Sequence, residues 1–271
     1  LTGFHSAVRS RWEAGAPAVG AWCSIPAALS AEVVGQAGFD FVCADLQHGL
    51  ADLGSAAAML QAISITGADP FVRVPGNEPW LIMRALDLGA VGIVVPLVGS
   101  AEEAARAARA CRYPPAGARS WGPVRVASTK ATDAGACNER VLCLPMVETP
   151  EGVANLEAIC SVPGVDGIYV GPSDLALSHG IAPGAELEKL LATIVATARK
   201  CGVPAGIHVR SGAAARQRAE EGFLLAGIAT DRELLWRASL AELAAARGTE
   251  REAGRPPAEG LLRASVTYAS D

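Results

Sequence analysis

The chain has 271 residues, 51% of them apolar and 19% charged, with a formal net charge of −5. That balance supports a large buried core and excludes a disordered or collagen-like chain. Lysine and arginine form no blocks of the kind that nucleic acid or an anionic membrane attracts, and no apolar run reaches the roughly eighteen residues of a membrane span, so neither partner is expected and the location is expected to be cytoplasmic.

Eight short apolar runs rich in β-branched residues recur in chain order, at residues 18–25, 39–45, 70–74, 91–97, 141–148, 165–170, 203–209 and 222–229. Between them lie stretches of helical apolar spacing such as 101–112 and 187–200. This alternation is the pattern of βα units around a parallel sheet, and the near-continuous hydrophobicity of the runs suits strands covered on both faces. Eight units closing on themselves predict a single (β/α)8 TIM barrel over residues 1–247. An open doubly wound sheet usually carries a Gly-rich phosphate loop, and neither GxGxxG nor GxxxxGK occurs. Residues 248–260 are charged and rich in Pro and Gly, so 248–271 reads as a tail, with 261–268 available to dock on a neighbour. The seven cysteines form no CxxC pair and are expected to be reduced and buried.

In such a barrel catalytic groups sit at the C-terminal ends of strands. The second run ends in Asp45-Leu46-Gln47-His48-Gly49, the third near Arg73, the fifth in Glu148-Thr149-Pro150, and the sixth leads into Gly171-Pro172-Ser173-Asp174. Two carboxylates at one mouth repel unless a proton or cation lies between them, so Glu148 and Asp174 are read as ligands of a divalent metal. Oxygen ligation with room for water and substrate favours Mg²⁺ or Mn²⁺, with Co²⁺ or Zn²⁺ also compatible. The alternative left open is that each carboxylate caps a neighbouring helix.

Arg73, in an apolar run, needs an anionic partner or substrate; a guanidinium beside a keto oxygen stabilises the charge that develops in an enolate, and a structural salt bridge is its other reading. The Asp45-x-x-His48 spacing predicts a carboxylate that orients an imidazole for acid–base work, against the plainer reading of His48 as a hydrogen-bonded loop residue. His208, at the end of the seventh run, is a second rim candidate, whereas His5 and His179 receive no role. The only lysines are Lys130, Lys189 and Lys200, and none ends a strand, which argues against a Schiff base and for a metal as electron sink, with no organic cofactor.

With these residues in place, the sequence resembles the class II pyruvate aldolases of the HpcH/HpaI aldolase/citrate lyase family from Gly20 to about Leu235. The matching words are Gly20-Ala21-Trp22, Ala37-Gly38-Phe39-Asp40, Asp45-x-x-His48-Gly49, Val72-Arg73-Val74, Leu86-Asp87-x-Gly89-Ala90, Tyr113-Pro114-Pro115-Ala116-Gly117-x-Arg119-Ser120, Val147-Glu148-Thr149 and Gly171-Pro172-x-Asp174-Leu175. The resemblance implies a phosphoenolpyruvate/pyruvate-type barrel that cleaves or forms a 4-hydroxy-2-keto acid from pyruvate and an aldehyde. It implies a metal held by Glu148 and Asp174 and chelated by pyruvate, whose carboxylate is held by the segment Gly171, Pro172, Ser173 and Asp174. Arg73 is implied at the enolate oxygen, and His48, oriented by Asp45, in proton transfer with a water at the aldehyde oxygen. It further implies a homo-oligomer, a hexamer built as a trimer of dimers with the last helix exchanged, in which Asp87 and Arg125 are candidates to complete a neighbour's site, and an ordered loop 113–120 near the pocket. One departure stands out: Gln47 occupies a position where relatives carry Glu, which lowers the basicity of His48 or alters a water position. Related chemistry on a 2-keto acid, such as oxaloacetate decarboxylation, a citrate-forming condensation or a biosynthetic aldol step, stays open, as does a non-catalytic barrel.

Overall fold

The computed structural model describes residues 6–122, 125 and 133–248. Eight parallel strands, β1 (Ala18–Cys23), β2 (Phe41–Asp45), β3 (Asp69–Arg73), β4 (Gly92–Val95), β5 (Leu142–Pro145), β6 (Ile168–Val170), β7 (Ala205–Val209) and β8 (Leu225–Thr230), pair in the order β5-β4-β3-β2-β1-β8-β7-β6. The ring closes between β5 and β6, where Met146 bridges to Tyr169 and the Val147 N–H donates to the Tyr169 carbonyl at 2.9 Å. The expected (β/α)8 barrel is formed.

Helices fill the crossovers: α1 (Ala7–Glu13), α2 (Ala28–Gln36), α3 (Leu53–Ser64), α4 (Pro79–Asp87), α5 (Ala101–Cys111), α6 (Ala134–Arg140), α7 (Pro150–Ala154), α8 (Leu156–Cys160), α9 (Pro172–Ser178), α10 (Ala185–Lys200), α11 (Gly212–Glu220) and α12 (Asp231–Arg247). The two strand faces feed two cores, because successive side chains point to opposite sides of a strand. Phe41, Cys43, Phe71, Leu142, Leu144 and Tyr169 fill the barrel interior, whereas Val42, Ala44, Val72 and Ile93 pack outward against helix residues such as Leu60, Leu86 and Ile194. Both faces are therefore dry, which is why the strands read as continuous apolar runs.

The short helix α1 was not foreshadowed by apolar periodicity; it plugs the N-terminal end of the barrel. Ser6 caps it and donates to Asp69 at 2.6 Å, Val8 is fully buried in the interior core, and the Trp12 indole donates to the Leu224 carbonyl at 2.8 Å. Burying Val8 alone is worth about 1.5 kcal/mol or more. The other end of the barrel is thereby left as the open one.

Several strands are shorter than the apolar runs that predict them. The run 91–97 is strand only over Gly92–Val95, since Pro96 has no N–H for the ladder, and Leu97 then turns at a positive φ of 57°. The last helix starts with a capping box between Thr230 and Glu233 and stops at Gly248, which is left-handed at φ 59°. Leu235, Trp236 and Leu243 on that helix are exposed. The tail over 249–271, with its 261–268 segment, lies outside the described residues. Six of the seven cysteines are buried and all are free. Among the described residues no helix is long and apolar enough to cross a membrane.

The loop 113–120 is held by its own contacts, as expected, but its place is corrected. Tyr113 exchanges hydrogen bonds with Asn138, and Arg119 stacks on its ring at 4.3 Å while pairing with Asp87 at 2.7 Å. Arg119 and Arg125 line a small recess with Gly89 and Val91, residues that enter β4. This is the end of the barrel opposite the strand C-termini, so within one chain the loop is far from the pocket mouth.

Candidate active site

A cavity of about 500 Å³ opens at the C-terminal ends of the strands. Its wall takes Trp22 from β1, Asp45 and His48 from β2 and its loop, Arg73 from β3, Met146 after β5, and Gly171 to Asp174 after β6. With His208 from β7 and Thr230 from β8, seven different strand ends contribute, which a parallel barrel achieves because every strand points the same way.

Arg73 ends β3 beside Asp45 at the end of β2, their register partners in the ladder. Its Nε donates to Asp45 Oδ1 at 2.9 Å and its Nη2 to Oδ2 at 2.6 Å, a bidentate pair buried at 9% and 3% exposure. Burial alone would raise the Asp45 pKa, but the Arg73 contacts, with the N–H groups of His48 and Gln47, outweigh it and hold the carboxyl below its usual range. Burial likewise works against the guanidinium, and Asp45 more than compensates, so Arg73 stays charged. The guanidinium carbon also lies 4.5 Å from the centroid of the Trp22 ring, a cation–π contact. Asp45 engages Nε and Nη2, and Arg73 lines the cavity.

This geometry corrects the Asp45–His48 dyad. Asp45 Oδ1 accepts from the backbone N–H of Gln47 at 3.0 Å and of His48 at 3.2 Å, and no hydrogen bond joins the carboxylate to the imidazole. Asp45 shapes the loop and holds Arg73; His48 stands exposed on the rim without it. The Asx-type turn follows from the two-residue and three-residue spacing, which suits backbone contacts as well as a side-chain dyad. Gln47 Oε1 is buried with no partner, so the position that departs from the family pattern carries an unsatisfied acceptor.

Glu148 follows β5 at 3% exposure, and its Oε1 accepts from the Leu97 N–H at 2.8 Å, the donor freed where β4 turns away. It does not cap α7; Thr149 does, accepting from Gly152 N at 3.1 Å. Asp174 sits in the first turn of α9, where no side-chain cap forms. Capping therefore accounts for neither carboxylate. Burial, and then the Asp174 charge, raise the Glu148 pKa against the opposing pull of the Leu97 N–H and of Arg73.

Gly171 separates the two acids. A Cβ built there would lie 2.8 Å from Glu148 Oε2, 3.2 Å from Met146 Cε and 3.6 Å from Asp174 Oδ2. Both carboxylate oxygens thus border one gap that a methyl group would fill, and their separation is bounded by the sum of those two distances. Among the described residues no third His, Cys, Asp or Glu completes a cluster. Two carboxylates with open space fit a hard cation that keeps waters and substrate oxygens in its sphere, as Mg²⁺ does. Pro172, at the first helical position, lacks an N–H, while those of Ser173 and Asp174 are free of the helix ladder, which begins with Leu175 donating to Gly171.

Asp87 and Arg125 lie elsewhere: Asp87 pairs with Arg119, and Arg125 donates to the Leu88 carbonyl at 2.9 Å and to Ser64 at 2.8 Å. Neither borders this chain's cavity. Lys189 and Lys200 lie on α10, away from the cavity, and Lys130 is outside the described residues. Sequence reasoning missed Trp22, Tyr169 and Asp231. Asp231 accepts from the N–H and hydroxyl of Ser24 and from Ser30, stapling β8 to the loop after β1. A charge directly after the eighth apolar run was its available signal; Trp22 and Tyr169 sit inside runs and read as core.

The family model for HpcH/HpaI aldolase/citrate lyase matches residues 19–238. A hydroxypyruvate/pyruvate aldolase of Rhizorhabdus wittichii is 40% identical over 89% of this chain and 98% of its own length. The crystal structure of an HpcH/HpaI aldolase/citrate lyase family protein from Burkholderia cenocepacia superposes with a TM-score of 0.83 at 33% identity, covering 90% of this chain and all (100%) of that one. A citrate synthase structure, 28% identical, superposes with a TM-score of 0.81 over 90% of this chain and 98% of its own. The chain belongs to the HpcH/HpaI aldolase/citrate lyase family and is a carbon–carbon lyase of the aldolase type.

Proposed function

We propose that the protein is a class II pyruvate aldolase that reversibly cleaves a 4-hydroxy-2-keto acid into pyruvate and an aldehyde. The observation that carries this reading is the gap at Gly171, bordered by Glu148 and Asp174, in a cavity also faced by Arg73. Glu148 and Asp174 would hold a divalent cation, Mg²⁺ or Mn²⁺ by their oxygen chemistry and Co²⁺ by wider tolerance. Bound there, it supplies Lewis acidity to the keto group of the substrate.

The chain's own groups do the rest. Arg73, locked by Asp45 and Trp22, presents Nη1 to the keto oxygen, where charge builds as the C3–C4 bond breaks; such a preorganised donor strengthens as the oxygen becomes negative. The N–H groups of Ser173 and Asp174, behind Gly171 and Pro172, bind the substrate carboxylate. His48, exposed at the rim, takes the proton of the C4 hydroxyl through a water; the electron pair of the C3–C4 bond passes into the pyruvate enolate, and C3 then takes a proton from water, so one proton leaves oxygen and one reaches carbon. Among the described residues no lysine borders the cavity, in keeping with a route that forms no Schiff base.

The test is release of pyruvate from 4-hydroxy-2-keto acids by purified protein with Mg²⁺, Mn²⁺ or Co²⁺, together with exchange of pyruvate C3 protons in D₂O. Absence of both would end this reading. The likeness to a citrate synthase favours one second reading, condensation with or decarboxylation of a dicarboxylic keto acid; oxaloacetate run beside aldehydes in one pyruvate assay separates the two. The chain is further proposed to be a homo-oligomer, a hexamer, with the exposed Leu235, Trp236 and Leu243 of α12 and Leu29 and Val33 of α2 in its contacts and Asp87 and Arg125 directed to a neighbour. Light scattering checks this.

A further inference from the structure

His208 has no part in the roles above, yet it lines the cavity. It lies on β7 opposite Gly227 of β8, and its ring meets that of Trp22 edge-on, at 5.3 Å and 84°. Gly227 makes the arrangement possible: a side chain there would collide with Trp22 Nε1 and Tyr169 Oη. The polar atom of Trp22 is engaged, donating to the Tyr169 hydroxyl at 3.1 Å, and its face is covered by Arg73. His208 therefore has aromatic contact and, among the described residues, no side-chain hydrogen bond, on a ring that lines the cavity. Burial first, and then the Arg73 charge with a contribution from Arg210, lower its pKa to about 4 against the opposing pull of Asp45. The ring is neutral at pH 7 and presents one N–H donor and one bare nitrogen acceptor.

A hydroxyl group, which both donates and accepts, is the chemical complement of such a ring. A carboxylate offers it only acceptors, and an alkyl group would leave both nitrogens unsatisfied in a desolvated wall. We propose that His208 is a specificity-determining residue that hydrogen-bonds a hydroxyl on the substrate's carbon chain, so that the enzyme selects hydroxylated substrates over their deoxy counterparts. This rests on the aldolase reading. The hydroxyl has two sources, C3 of the donor keto acid or the carbon next to the aldehyde.

Isosteric pairs distinguish the sources: hydroxypyruvate against 2-oxobutanoate as donor, and glycolaldehyde against propanal as acceptor with pyruvate. The quantity read is the ratio of kcat/KM within each pair, in wild type, H208L and H208Q. In one pair, the H208L ratio is expected to fall about five- to tenfold, the scale of a neutral hydrogen bond, and H208Q, which keeps a donor and an acceptor, to recover most of it. Should H208L not fold, H208F keeps the contact with Trp22 and is read the same way. Ratios unchanged within about twofold in both pairs overturn the proposal, and so does an equal fall for every substrate, which marks a structural or proton-transfer role. Unchanged ratios with intact pyruvate proton exchange refute only His208; loss of exchange and of all pyruvate release in wild type refutes the aldolase reading itself.

Discussion

Replacing Gly171 with alanine tests the cation seat without touching a charge. The backbone there has φ −99° and ψ 94°, open to any L-residue, so strain comes only from the new methyl group. That methyl would stand 2.8 Å from Glu148 Oε2, closer than real contacts allow. Glu148 is 3% exposed and its other oxygen is tied to the Leu97 N–H at 2.8 Å, so it retreats only by weakening that bond. Overpacking of this kind costs about 1–3 kcal/mol, at roughly 2–4 °C of Tm per kcal/mol for a chain of this size. Displacing the ligand lowers cation affinity about 10- to 100-fold, the scale seen when supports of metal ligands are changed. Mn²⁺ titration by calorimetry, with melting curves in chelator and in excess Mn²⁺, reads both. A folded G171A protein that binds Mn²⁺ as tightly as wild type would refute the assignment of that gap to the cation.

Arg73→Ala is expected to lower kcat by a factor corresponding to about 2.7–4 kcal/mol, as for other oxyanion donors, in a steady-state pyruvate assay; a near wild-type rate removes it from the mechanism. Asp45→Asn leaves a buried guanidinium without its charge partner and should destabilise the fold by about 3–5 kcal/mol in urea titrations. Because the folded pKa of Asp45 is depressed, its contribution is present above the unfolded value near 3.8 and is lost as pH falls through the folded one, so the acid-range slope of stability against pH should flatten in D45N. Glu148→Gln and Asp174→Asn should each abolish metal-dependent turnover and erase the Mg²⁺-dependent rise in Tm, as differential scanning fluorimetry would read. Thr149→Ala, which removes a helix cap beside Glu148, should cost about 1 kcal/mol of stability, a control that separates local packing from cation loss.

The sequence by itself determined the barrel, because a parallel sheet dry on both faces must write each strand as an unbroken apolar run, and eight such runs alternate with helices. It also singled out Arg73, Glu148 and Asp174 as candidates, since a charge at the end of an apolar run is costly unless something uses it. Only the tertiary structure decided pairings. Asp45 and His48 are close in sequence, yet the carboxylate faces Arg73, its register partner across the β2–β3 ladder, because a bidentate ion pair between adjacent strand ends outcompetes a local imidazole contact. Leu97 becomes a donor to Glu148 because β4 stops at Pro96, a long-range meeting that no spacing encodes. Trp22, Tyr169 and His208 come together only because the strands close into a ring, and an aromatic inside an apolar run looks the same in the sequence whether it fills the core or walls a substrate cavity.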